Sequence, residues 1–159
     1  MNKEPIHLQN EIDQSIDIAA PASKTWSLVR TPGWWINTDT IHPHKIESEG
    51  DIHRVHDEQY GLFTIRKLNE KEPEWVEFEW LAAGEETELE DMPKTLVRFE
   101  VTGDDSRSTL RVVESGFLGG EISTERREAF YRENFEGWQV ELAAARKYLE
   151  ASPEGSINP

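Results

Sequence analysis

No cysteine occurs among the 159 residues, which excludes disulfide bonds, thiolate nucleophiles and thiolate-ligated metal centres and suits a reducing compartment. Basic residues are scarce: 17 Lys and Arg stand against 32 Asp and Glu, a net charge of −15. A surface of that sign repels phosphate backbones and anionic lipid headgroups, so neither a nucleic-acid nor a membrane partner is expected. No apolar run approaches the ~20 residues that a bilayer-spanning helix needs. The opening residues, MNKEPIHLQN, contain no apolar core of a secretory signal, and a cytoplasmic protein is the expectation. Also missing are a G-x-S-x-G nucleophile elbow and a glycine-rich phosphate loop after a strand; no nucleophilic triad, nucleotide site or cofactor is expected.

What the chain does have is aromatic. Six Trp, six Phe and three Tyr supply much of the apolar material in a sequence only 36% hydrophobic, so the core is expected to be built from a few large rings. The length suits one domain with a real core. Residues 1–10 are polar and residues 151–159 read ASPEGSINP, a composition of flexible tails flanking a single domain at 11–150.

Local patterns predict the elements. Between Glu11 and Ala19, Ile12, Ile16 and Ile18 stand among polar residues, as in a half-buried strand. Pro21 suits a first helical position, and Ala22, Trp26 and Val29 form an apolar stripe over a short helix to about Arg30. Thr31 before Pro32 predicts a second short helix carrying Trp34, Trp35 and Ile36. From Lys45 to Phe117, turn signals at Glu49-Gly50-Asp51, Asp57-Glu58, Lys71-Glu72-Pro73, Gly84 to Pro93 and Gly103-Asp104-Asp105 cut the chain into an antiparallel meander. In its clearest strand Val76, Phe78 and Trp80 share one face and Glu77 and Glu79 the other. Val97, Phe99 and Val101 repeat the pattern, as do Leu110 and Val112, and parity puts Glu114 on their side. The segment GEETELEDMPK holds five acidic residues and reads as a solvated hairpin tip. Finally, Tyr131, Phe135, Trp138, Leu142, Ala145 and Leu149 fall on one face of a long helix from about Ser123 to Glu150. Gly137 costs that helix about 1 kcal/mol relative to Ala, which suits close packing beside Trp138.

Strand, two short helices, a run of strands and a long C-terminal helix is the order of the helix-grip fold, an α+β architecture in which a curved antiparallel sheet of about six to seven strands wraps the long helix. Ile18-Ala19-Ala20-Pro21 with Trp26, then Tyr60-Gly61-Leu62-Phe63, Phe78-Glu79-Trp80, Glu114-Ser115-Gly116-Phe117 and Gly137-Trp138 follow one another along the chain. Together they resemble the heat-shock-protein ATPase activator-like (AHSA-type, polyketide cyclase-like) branch of the START-like SRPBCC superfamily, over about residues 11 to 150. Many relatives carry a glycine-rich turn before the second strand, where this chain has only Gly50 within Glu47-Ser48-Glu49-Gly50-Asp51. The resemblance implies a cavity between sheet and helix. It leaves the function open, because members bind lipids, hormones or polyketides, assist chaperones, or catalyse cyclisations.

Facing gives that cavity a lining of Trp34, Trp35, Phe78, Trp80, Phe99, Glu114, Phe117, Trp138 and Leu142, residues that serve equally well as core filling. Glu114 is the notable polar member: turned inward, its carboxylate needs partners and desolvation raises its pKa, whereas a local bulge at Gly116 would instead leave it exposed at the cavity mouth. His42 and His44, with His53 and His56 in the next strand, do not by spacing make a metal site, and none is assigned. The first expectation is a module that binds a small apolar or aromatic molecule. Its alternatives are a chaperone-activating interaction domain that meets a basic protein partner through Glu85 to Asp91, and a cyclase- or hydrolase-type enzyme with Glu114 as general base.

Overall fold

The structure, a computed structural model, describes residues 8–37, 39–59, 61–83, 95–119 and 122–151, excluding the side chains of 81–83. Outside these lie most of both expected tails, Tyr60, and the acidic segment with the turn from Gly84 to Pro93. Along the chain run β1 (Glu11–Ile18), α1 (Ala22–Val29), β2 (Lys45–Glu49), β3 (Ile52–Asp57), β4 (Gly61–Lys71), β5 (Trp75–Ala83), β6 (Leu96–Gly103), β7 (Ser108–Ser115) and α2 (Thr124–Ala151).

The strands form one antiparallel sheet in the order β1-β7-β6-β5-β4-β3-β2. Strands β2 to β7 are a meander, and β1 pairs with its last member. Register irregularities between β4 and β5, at Thr64/Ile65 and at Lys67/Asn69, add local twist and bend, as bulges do. Alternation decides the faces. In β7, Ser108, Leu110, Val112 and Glu114 are buried while Arg111 is exposed, so parity placed Glu114 correctly. The opposite face is polar and paired: Arg111 bridges Asp13 and Glu100, and Arg98 joins Glu100 to Glu77.

Helix α2 starts where the Ser123 hydroxyl accepts the Arg126 N–H at 3.2 Å, an N-cap that satisfies one of the free donors of the first turn. Tyr131, Trp138, Leu142, Ala145 and Leu149 of the predicted stripe are buried, joined by Glu141 and Ala144, while Phe135 is only partly covered. The helix is tied to β1 by Gln14 Nε2 donating to the Phe135 carbonyl at 2.9 Å and by the Tyr131 hydroxyl donating to the Glu11 carbonyl at 3.1 Å. Leu8 already packs on the core, and the Asn10 carbonyl accepts the N–H groups of Gly116 and Phe117.

Two local expectations need correction. Pro21 caps α1 in extended backbone (ψ 146°) rather than opening it. The second short helix is reduced to tight turns, with Trp34 N–H bonded to the Thr31 carbonyl and Ile36 N–H to that of Gly33. Gly33 is the cause: its φ of 76° lies in the left-handed region, which interrupts a right-handed helix. A Cβ there would also stand 2.9 Å from both methyls of Val55, so the turn packs directly onto β3.

Candidate functional site

The turn made by Gly33 sets the tryptophan pair edge to face, with ring centroids 6.1 Å apart and planes at 82°. Trp35 points inward and meets Phe99 at 5.2 Å, Phe78 at 5.4 Å, Trp80 at 5.6 Å and Trp138 at 6.2 Å. These aromatics fill most of the space between sheet and α2. What is left is an inner pocket of about 200 Å³, open to the surface, bordered by Trp35, Trp80 and Trp138, with Asn37, Glu114, Asn134 and Glu141 supplying polar atoms and exposed Glu133 beside them. Of the predicted lining, Trp35, Trp80, Glu114 and Trp138 border this pocket. Phe78, Phe99 and Leu142 are packed core, and Phe117 stacks on Phe130 and Tyr131; these four line neither hollow. Trp34 belongs elsewhere, to an outer groove of about 750 Å³ beside Leu28, Ile41, Ile46 and Leu149.

Glu114 is 1% exposed. Its carboxylate accepts the Thr95 hydroxyl, the Trp138 Nε1–H at 2.8 Å, and Asn134 Nδ2, which is 3.1 Å from both oxygens. Asn134 and Trp138 lie four residues apart, so one face of α2 presents both donors to β7. Burial pushes the carboxyl above its usual range, while the Thr95, Trp138 and Asn134 donors hold it down. A carboxylate offers about four lone-pair positions, and these contacts occupy them. Glu114 therefore fastens helix to sheet.

Glu141 and Asn37, 104 residues apart, make the other polar corner. Asn37 Nδ2 donates to the Trp34 carbonyl at 2.6 Å and to Glu141 Oε1 at 3.1 Å. Desolvation, reinforced by Asp39, pushes the Glu141 carboxyl up to about 7, against the opposing hydrogen bond from Asn37 and the charge of His42. Asn37 Oδ1 and Trp35 Nε1 are buried without a hydrogen-bond partner in the protein. The pocket thus combines indole walls with a carboxyl that titrates near neutrality.

A pH dependence follows from Glu141. In the unfolded chain its pKa is near 4.5 and in the fold about 7, so below the lower value it is protonated in both states and burial carries no charge cost. As pH rises to 7 the native state alone pays for desolvating the ion, and stability falls. Water at the cavity mouth screens part of that cost, leaving about 1–2 kcal/mol. Urea denaturation of wild type and Glu141→Gln across this range should show wild type losing that amount relative to the variant. A pH-independent difference would contradict it.

The histidines divide. His53 pairs with Ser48 and His56 with Glu47 on the exposed β2–β3 ladder. His42 and His44 instead converge on Asp57, which closes β3: His44 Nε2 is 2.9 Å and His42 Nε2 3.3 Å from its Oδ1. The three form a cluster of metal-ligand type, with donor atoms within 4.8 Å of one another. Asp57 was read from sequence as a turn residue; its parity with buried Val55 was the signal that it faces inward.

No protein-family model matches the chain, and no curated protein matches it significantly. Solved structures do. The Zhui aromatase/cyclase from a Streptomyces species superposes with TM-score 0.63 at 15% identity, covering 92% of this chain and 98% of that one. The Aha1 dimer protein from Colwellia psychrerythraea gives 0.61 at 16% identity, covering 88% and 96%. A START superfamily protein from Mycobacterium smegmatis gives 0.60 at 16%, covering 87% and 98%. The chain thus has the helix-grip, START-like fold that these proteins share. Among the described residues no helix is long and apolar enough to cross a membrane.

Proposed function

We propose that this protein is a helix-grip binding module that takes up a small, largely apolar or aromatic molecule between the sheet and α2. The observation that carries the reading is the open pocket itself, about 200 Å³ bordered by three indoles and by the polar corner of Asn37 and Glu141. An apolar cavity of roughly 150 Å³ takes up benzene, so the space of about 200 Å³ here suits one small ring. Tryptophan faces supply contact area at little entropic cost, while the Glu141 carboxyl at the pocket supplies a polar contact for a substituent.

A thermal-shift screen against lipids, flavonoids and small aromatic compounds tests it. A ligand present at about 100 times its Kd adds about 2.7 kcal/mol to stability. Trp80→Ala, which removes one wall, is expected to weaken binding roughly tenfold or more, whereas Glu79→Ala on the opposite face of β5 leaves it unchanged. The absence of any stabilising compound would remove the proposal.

A cyclase- or hydrolase-type enzyme using Glu114 as general base draws less support, since both oxygens of that group already accept hydrogen bonds and a base must reach substrate. The chaperone-linked reading rests on the acidic segment 85–91, outside the described residues.

A further inference from the structure

We propose that His42, His44 and Asp57 form a binding site for a divalent metal ion of the zinc class, with its remaining coordination position toward the outer groove. The separations are those of a ligand set. A tetrahedral ion with nitrogen and oxygen ligands at ~2.0–2.1 Å holds neighbouring donor atoms about 3.3 Å apart. His42 Nε2 and Asp57 Oδ1 are 3.3 Å apart, His44 Nε2 and the same oxygen 2.9 Å, and all three donors lie within 4.8 Å. Small ring rotations close the rest.

Hydrogen bonding around the cluster points the same way. His42 Nδ1 lies 3.2 Å from the Thr40 carbonyl, an acceptor, so a proton held on that nitrogen leaves Nε2, which faces Asp57, as the atom that can ligate an ion. A backbone carbonyl that fixes one ring nitrogen so that the other can ligate is the usual support of a metal-bound histidine. His44 Nε2 likewise faces two acceptors, Asp57 Oδ1 and the Ile36 carbonyl at 2.9 Å. Possible ligand atoms from three segments meet at one point, which calls for hydrogen-bond protons or a cation between them. Protons on the rings can serve, or a single divalent ion that displaces them to solvent.

Burial and donor type narrow the ion. The side chains of His44 and Asp57 are 3% and 2% exposed, while His42 is 47% exposed, so two ligands are built into the fold and the third closes from the surface. Gln59 N–H holds the other carboxylate oxygen at 2.9 Å. Two imidazoles and one carboxylate suit zinc, whereas calcium and magnesium favour all-oxygen sets. His42 and His44 both line the groove of about 750 Å³, so a fourth position facing it is open to water or a small anionic donor. The ion would also fasten the segment carrying His42 and His44 to the end of β3.

Tag-free protein freed of metal with a chelator is titrated with Zn2+ against a competing chromogenic chelator. Co2+ absorption spectra then report coordination geometry. Wild type is expected to bind one equivalent. His42→Ala and Asp57→Asn should bind roughly 100-fold more weakly, and His56→Ala like wild type. His42 is exposed, so its variant should keep the wild-type metal-free melting temperature, which separates lost ligation from lost folding. No stoichiometric binding by wild type, equal affinity in His42→Ala, or equal loss in His56→Ala would each overturn the proposal.

Discussion

Replacing Glu114 by Ala is expected to lower the unfolding free energy by about 3–5 kcal/mol, although Glu114 belongs to no apolar packing scheme. The cost comes from what the substitution strands. Thr95 Oγ1, Asn134 Nδ2 and Trp138 Nε1 all donate to this carboxylate, in a place where Glu114 itself is 1% exposed. Each orphaned donor loses a charge-assisted bond and keeps its desolvation penalty. Glu114→Gln is expected to recover part of the loss, because one amide oxygen still accepts while the amide nitrogen turns a donor against donors. Urea unfolding followed by tryptophan fluorescence measures both. A change below about 1 kcal/mol in the Ala variant would mean that helix and sheet are held together without this group, and would return Glu114 to candidacy as a reactive carboxyl.

Trp35→Ala is expected to be as severe, at about 3–5 kcal/mol, for a different reason. Trp35 is 7% exposed, and its indole touches Trp34, Phe78, Trp80, Phe99 and Trp138 at centroid separations from 5.2 to 6.2 Å. Rings on β5, β6 and α2 all lean on it, so its removal leaves a void that no neighbour can fill by a rotamer change. Trp35→Phe is expected to be much milder, because most ring contact survives and the buried Nε1–H, which has no partner in the protein, disappears. If the binding proposal holds, the Ala variant that still folds should accept larger ligands than wild type. A Trp35→Ala protein with near-native stability would show that the ring lines space rather than filling it.

Much of the fold was legible because it is written in local periodicities. Val76, Phe78 and Trp80 alternate with glutamates, and Tyr131 to Leu149 repeat at helical spacing; either pattern survives whatever the rest of the chain does. Parity alone carried Glu114 to the buried face. The second short helix does not form, despite a proline start and three apolar residues, because Gly33 has a positive φ and sits where a Cβ would meet Val55. The lining was harder still. Phe78 and Trp80 share a strand face, yet Trp80 borders the inner pocket and Phe78 lies in the core, a distinction that depends on where Trp35 lands.

The sequence by itself determined the strands, the first short helix and the long helix, the buried face of each, and a surface hostile to polyanions, since backbone propensity, side-chain period and charge act locally or as sums. Tertiary structure alone decided which polar groups meet. Glu114 finds its partners 19 to 24 residues away and Asn37 finds Glu141 across 104. His42 and His44 reach Asp57 through the pairing of β2 with β3, and the Trp34–Trp35 pair divides inner pocket from outer groove. Hydrogen bonding and close packing act over a few ångströms in space, and distance along the chain does not predict that proximity.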